Sequence, residues 1–135
     1  MAFTQNIFVA VDTVVIANNQ KVLLIKRKNP PFQGKWALPG GFVEQDEDLP
    51  ESAMRELKEE TGVRAVINDL SFVGVYGAPN RDPRFRTVSI VYRLEILETV
   101  EVKGGDDAAE AAWFDLDDLP ELAFDHAEGV KDARF

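Results

Sequence analysis

A chain of 135 residues with 45% apolar and 29% charged side chains has the size and composition of one globular domain, not of a disordered segment. No apolar run approaches the ~18 residues of a membrane span, and no cation precedes Lys21 to form a secretory leader, so a cytoplasmic protein is expected by elimination. A net charge of −9 argues against nucleic acid and anionic lipid as partners, and the absence of cysteine excludes disulfides, thiolate metal sites and thiol nucleophiles.

In chain order, "NIFVAVDTVVIANNQKVLLIKRK" predicts two strands joined by a tight turn. Ile7, Val9 and Val11 alternate with Phe8 and Ala10, and "ANNQ" supplies turn chemistry before the run from Val22 to Ile25. "NPPFQGKWALPGG" is rich in Pro and Gly and reads as a shaped loop with a short strand at Trp36 to Leu38. A helix begins near Asp48, an N-cap with Glu51 as its capping-box partner. Pro50 fits its first turn and Gly62 ends it. Beyond it, "AVINDLSFVGVYG" is strand material, and in "TVSIVYRLEIL" Val88, Ile90, Tyr92, Leu94 and Ile96 share a face. "EVKGGDDAAEA" reads as an acidic loop before a short strand around Trp113-Phe114, and the chain closes on a helix interrupted upstream by Pro120. Strands with one early and one late helix predict an α/β fold, a mixed sheet with helices packed on it.

The helix carries an oddity. Projected at about 100° per residue, Pro50, Ala53, Met54, Leu57 and Thr61 form the packing stripe. Glu56, Glu59 and Glu60 form a second stripe, and Arg55, Lys58 and Glu51 a third. Arg55 is placed to pair with Glu51, with Glu59 also in reach. Glu56 and Glu60 at i,i+4 should repel by about 0.2–0.5 kcal/mol, and Glu56 with Glu59 by a similar amount. A solvated helix laced with ion pairs is the ordinary reading, yet it leaves this repulsion unexplained. Clustered carboxylates on a rigid element suit a hard divalent cation, which takes oxygen ligands and keeps positions for water and phosphate.

From Gly41 to Val63 the spacing is Gly, five residues, Glu47, seven residues, Arg55-Glu56-Leu57, one residue, Glu59-Glu60, one residue, Gly62-Val63. This resembles the signature of the Nudix hydrolases at every fixed position, and "GKWALPGG" resembles the family's entry into it. The resemblance implies one Nudix domain over residues 1–135, folded as an α/β/α sandwich around a mixed sheet. It also implies that Glu56, Glu59 and Glu60 ligate magnesium, with manganese as a substitute and the Gly40 carbonyl as a further ligand. Glu47 and Arg55 would hold the loop and helix in shape. The implied reaction is hydrolysis of a nucleoside diphosphate linked to another moiety, with Glu59, Glu60 or a loop acid as catalytic groups. Among Asp106, Asp107 and Glu110, Asp107 is the first choice from its distance to Trp113. His126, beside Asp125, is expected to be structural.

Three arginines, Arg81, Arg84 and Arg86, crowd six residues of an acidic chain. Guanidinium groups are planar forks for phosphate, so these are candidate substrate contacts, with Arg27 and Lys26 as further ones. Pro79, the "RDPR" loop and "LAFDH" resemble features of the ADP-ribose pyrophosphatase subgroup. That likeness implies ADP-ribose as substrate and AMP with ribose 5-phosphate as products, in a homodimer. Another nucleotide substrate, or a module that binds ADP-ribose as a signal, are the alternatives; retention of every motif carboxylate favours the enzyme.

Overall fold

The strand from Ile7 to Ala17 (β1) is the line on which the other elements are registered. The structure, a computed structural model, describes residues 6–134. β1 runs parallel to β6 (Arg86–Ile96) along its whole length, from Ile7 opposite Arg86 to Ala17 opposite Ile96. Its other edge is shared. Ala10 to Asp12 pair antiparallel with β4 (Gly40–Phe42), and Ile16 and Ala17 pair with β2 (Lys21–Arg27). β2 also pairs with β3 (Trp36–Ala37) and with β7 (Ala108–Asp115), while β5 (Leu70–Tyr76) flanks β6. The sheet is mixed, as the sequence predicts.

The β1–β2 turn works through its asparagines. Asn18 and Asn19 have φ of 52° and 54°, and the Gln20 amide donates to the Ala17 carbonyl at 3.0 Å. Two successive positive φ angles match the twist of a hairpin, and Asn tolerates them better than most residues.

Helix α1 (Leu49–Thr61) is capped at both ends. Asp48 accepts from the Leu49 amide at 2.9 Å and donates its own amide to Glu51 at 3.3 Å. Gly62 closes the helix at φ 81°, a left-handed conformation that costs a Cβ-bearing residue energy, and its amide reaches the Lys58 carbonyl at 2.9 Å. Alternation along the strands then divides the core. Leu57 of α1 packs with Val15, Leu23 and Leu94, on one side of the sheet. On the other, Val130 and Ala133 of α2 (His126–Ala133) pack with Val14, Ile16 and Val91. One helix therefore covers each face.

Several elements depart from expectation. The predicted strand at Trp36 to Leu38 ends at Ala37, and Gly40–Phe42, expected as loop, is β4 because it pairs with the middle of β1. β7 starts at Ala108, five residues before Trp113; alanine has little preference for strands, but Glu110 and Ala111 pair with Lys26 and Ile25 of β2. β5 starts only at Leu70, after a 3₁₀ turn at Ile67–Asp69. In β6 Leu94 and Ile96 of the predicted face pack with Leu57 of α1, while Thr87, Ser89 and Val91 on the opposite face are buried as well. No helix among the described residues is long and apolar enough to cross a membrane.

Leu57 is 1% exposed, so Leu57→Ala should cost about 2–5 kcal/mol in urea unfolding. Leu97, 88% exposed, is the control: Leu97→Ala should stay within about 0.5 kcal/mol of the parent.

Candidate active site

Close approach of α1 to β4 builds the site. A Cβ on Gly41 would stand 2.6 Å from the carboxyl carbon of Glu56, so a side chain there would displace the Glu56 carboxylate from its place against the strand. Glu60 lies deeper, 4% exposed, and accepts the Gly40 amide at 2.7 Å.

Arg55 relieves the repulsion that the helix projection leaves open, and its main partner is not Glu51. Its Nε and Nη2 grip Glu47 at 2.7 and 3.0 Å, while Nη1 reaches Glu56 at 2.8 Å and Glu59 at 3.2 Å. Glu51 is used instead in the capping box. Glu47 also accepts from Ser52 at 2.7 Å, and Arg55 with these neighbours pulls its carboxyl down to about 2. Glu47 and Arg55 thus form one brace between the loop and the helix.

The acidic loop is clamped to the end of the same helix. Lys103 and Gly105 amides donate to the carbonyls of Thr61 and Glu60, each at 3.2 Å, satisfying groups that a helix terminus leaves bare. The clamp brings Asp106, at φ 52°, to the glutamates: carboxylate oxygens of Glu56, Glu59 and Asp106 lie within 4.8 Å of one another. Asp107, the acid preferred from the sequence, lines the same cavity but stands outside that triplet. Its neighbour is the better metal-ligand candidate, because the loop's turn at Asp106 aims it inward. The donor set fits a hard divalent cation: three convergent carboxylates, two of them exposed enough to leave room for water and a phosphate oxygen.

These groups face a cavity of about 860 Å³. Its wall adds Asp12, Thr87, Ser89 and His126, none of them singled out as a site from the sequence apart from the structural reading of His126. Asp12 carries a signal in hindsight: it is the one charged residue in a largely apolar strand. His126, expected to be structural, is 7% exposed, and its Nδ1 accepts the Leu38 amide at 3.0 Å.

The arginines separate. Arg27, Arg81 and Arg84 line the cavity, whereas Arg86 lies outside its lining, exposed at the start of β6 and donating to the Gly77 carbonyl at 2.8 Å. Arg81 is committed to Asp125 at 2.6 and 2.9 Å and to Ser89 at 3.1 Å, its side chain 5% exposed. Arg84 pairs with Asp82 at 2.8 Å and lies over the rings of Phe85 and Phe42, at 4.9 and 5.6 Å. Arg27 donates Nε to the Pro31 carbonyl at 2.7 Å and lies over Phe124 at 4.9 Å. Lys26 pairs with Glu110 at 3.4 Å.

Burial raises Glu60 from 4.5 to about 9, with the Gly40 amide opposing and Glu56, Asp12 and Asp107 adding to the rise. Burial also raises Glu56, against Arg55. A carboxyl raised on folding keeps its proton in the folded state, so its stabilising contribution is complete below about pH 4.5 and is lost as pH climbs toward 9. In EDTA, stability should therefore fall between pH 5 and 8.5, by at most about 1.4 kcal/mol per pH unit from this group. Glu60→Gln should flatten that slope in denaturant melts, and an unchanged slope would clear Glu60 of the effect.

Comparison with known proteins identifies the family. The NUDIX domain family matches residues 7–133. The chain is 53% identical over 124 residues to the ADP-ribose pyrophosphatase of Methanocaldococcus jannaschii, spanning 92% of this chain and 71% of that protein. Among solved structures it is similar to the NUDIX domain of Shewanella oneidensis NrtR complexed with ADP ribose, with TM-score 0.86 and 32% identity, covering 96% of this chain and 88% of that one. It is also similar to a bifunctional NMN adenylyltransferase/ADP ribose pyrophosphatase from Francisella tularensis complexed with AMP and Mn ion. There the TM-score is 0.81 at 31% identity, over 96% of this chain but only 42% of the other. With a domain match over residues 7–133 and 53% identity to one relative over 124 aligned residues, the chain belongs to the Nudix hydrolase family.

Proposed function

We propose that this Nudix hydrolase cleaves ADP-ribose to AMP and ribose 5-phosphate in a magnesium-dependent reaction. The observation that carries the metal-dependent part is the convergence of Glu56, Glu59 and Asp106 beside the buried Glu60, at the end of a cavity that also presents arginines. The choice of ADP-ribose is supported by the likeness to an ADP-ribose pyrophosphatase and to a domain complexed with ADP ribose.

Glu56, Glu59 and Asp106 would hold the cation, with Glu60 and the Gly40 carbonyl behind them. When bound, magnesium supplies charge neutralisation at the diphosphate oxygens and Lewis-acid polarisation of the bond to be broken; manganese can substitute. Water attacks one phosphorus, the P–O–P bridge breaks toward the other phosphate, and one proton leaves the water. Asp107, in the cavity wall outside the ligand triplet, would accept that proton. Arg84 and Arg27 are the cavity cations suited to the phosphates, and Arg81 serves by holding the wall in place. No covalent intermediate is required. Ile7, Phe8 and Val9, 46%, 43% and 38% exposed, suit burial against a second copy, which supports a homodimer.

A panel with magnesium tests the substrate: AMP released from ADP-ribose should far exceed phosphate or pyrophosphate released from nucleoside triphosphates. Faster triphosphate turnover, or tight ADP-ribose binding with no AMP formed, reverses the reading. Asp107→Asn should lower kcat about 100-fold with manganese affinity intact, and Asp106→Asn should weaken manganese binding itself. Loss of one charge-assisted contact in Arg84→Ala should raise KM about tenfold, while Arg86→Ala stays within about twofold.

A further inference from the structure

Two stretches outside the Nudix signature, "RDPR" and "LAFDH", meet through the Arg81–Asp125 ion pair. Arg81 grips Asp125 with two hydrogen bonds and donates a third to Ser89, which in turn hydrogen-bonds Asp12. His126 follows Asp125. Its Nδ1 accepts the Leu38 amide at 3.0 Å, so the ring proton belongs on Nε2, which faces Asp12 Oδ2 at 3.7 Å. Both side chains are 8% exposed. Burial lowers the His126 pKa, with Asp12 opposing, and this keeps the ring neutral.

The segment that His126 grips is the one that shapes the carboxylate cluster. Leu38 is held by His126, the Pro39 carbonyl accepts from Thr13 at 3.0 Å, and the Gly40 amide donates to Glu60 at 2.7 Å. Gly41 then meets Glu56 in the close approach described above. The C-terminal segment is fastened to the same stretch twice more. The Ala123 amide donates to the Trp36 carbonyl at 2.8 Å, and Leu122 bridges to Trp36.

We propose that His126, aimed by Asp12 and by the Arg81–Asp125 pair, is a positioning residue of the hydrolytic centre. By holding the Leu38 amide it sets the Gly40–Gly41 backbone against Glu56 and Glu60, and with it the arrangement in which those carboxylates receive a divalent cation. This role rests on the hydrolase reading, but its main test does not need the substrate to be known. His126 touches no reacting atom in it.

The test compares His126→Leu with His126→Asn, side chains of one size of which only Asn keeps an acceptor for the Leu38 amide. Manganese affinity is read by electron paramagnetic resonance without nucleotide, and kcat and KM with ADP-ribose. His126→Leu should lose about tenfold or more in both manganese affinity and kcat, with KM within about twofold, and His126→Asn should recover most of the loss. A folded His126→Leu with manganese affinity and kcat within about twofold of the parent overturns the proposal. So does a His126→Asn as impaired as His126→Leu, because shape alone would then be responsible. Should His126→Leu not fold, Asp12→Ala takes its place, with weaker manganese binding expected and unchanged binding again overturning the proposal. A parent that binds manganese but leaves ADP-ribose intact counts against the substrate reading alone, since the manganese arm still decides the role of His126.

Discussion

One guanidinium makes the acidic centre foldable. Arg55 is held by Glu47 through two parallel hydrogen bonds and spends its remaining reach on Glu56 and Glu59. The fork geometry matters, since a lysine could offer a point charge but not two directions at once. Braced this way, the helix can present carboxylates to a cavity in positions where their mutual repulsion would otherwise favour rotation into solvent. The brace also ties the helix to the end of β4, because Arg55 Nη2 donates to the Phe42 carbonyl at 3.2 Å.

The cavity is acidic even though arginines line it. Arg55, Arg81 and Arg84 are each matched to a carboxylate within 2.6–2.8 Å, so their charges are largely balanced locally. An anionic diphosphate entering such a cavity meets excess negative charge, and at short range in a partly desolvated site that repulsion is substantial. Divalent cations on the helix carboxylates reverse its sign. In a chain of net charge −9 the affinity for phosphate has to be local in this way.

The partly buried Arg81–Asp125 pair illustrates a different use of charge. Despite the cost of burial, Arg81 holds the Asp125 carboxyl below its ordinary range, so the pair stays ionised and directional. Its contribution is geometric: it joins the loop before β6 to the start of α2, two segments more than forty positions apart, beneath a shared cavity. Buried ion pairs are weak sources of net stability but strict about geometry, because separating them strands a charge.

How much of this was legible from residues alone divides along local and non-local physics. The helix boundaries, its capping box and its glycine stop were readable, because caps and turns act between residues a few positions apart. So was the carboxylate stripe, fixed by the helical period. β4 and the early start of β7 were not, because pairing with β1 and β2 overrode weak local preferences. The site followed the same division: the loop clamp selected Asp106 to join Glu56 and Glu59, and Asp125 claimed Arg81. By itself the sequence determined the family signature, the acidic helix face and its demand for cations, all properties of short-range spacing. Only the tertiary structure decided which loop acid converges, which arginines face the cavity, and that His126 grips Leu38, because those contacts join residues tens of positions apart whose meeting depends on sheet register.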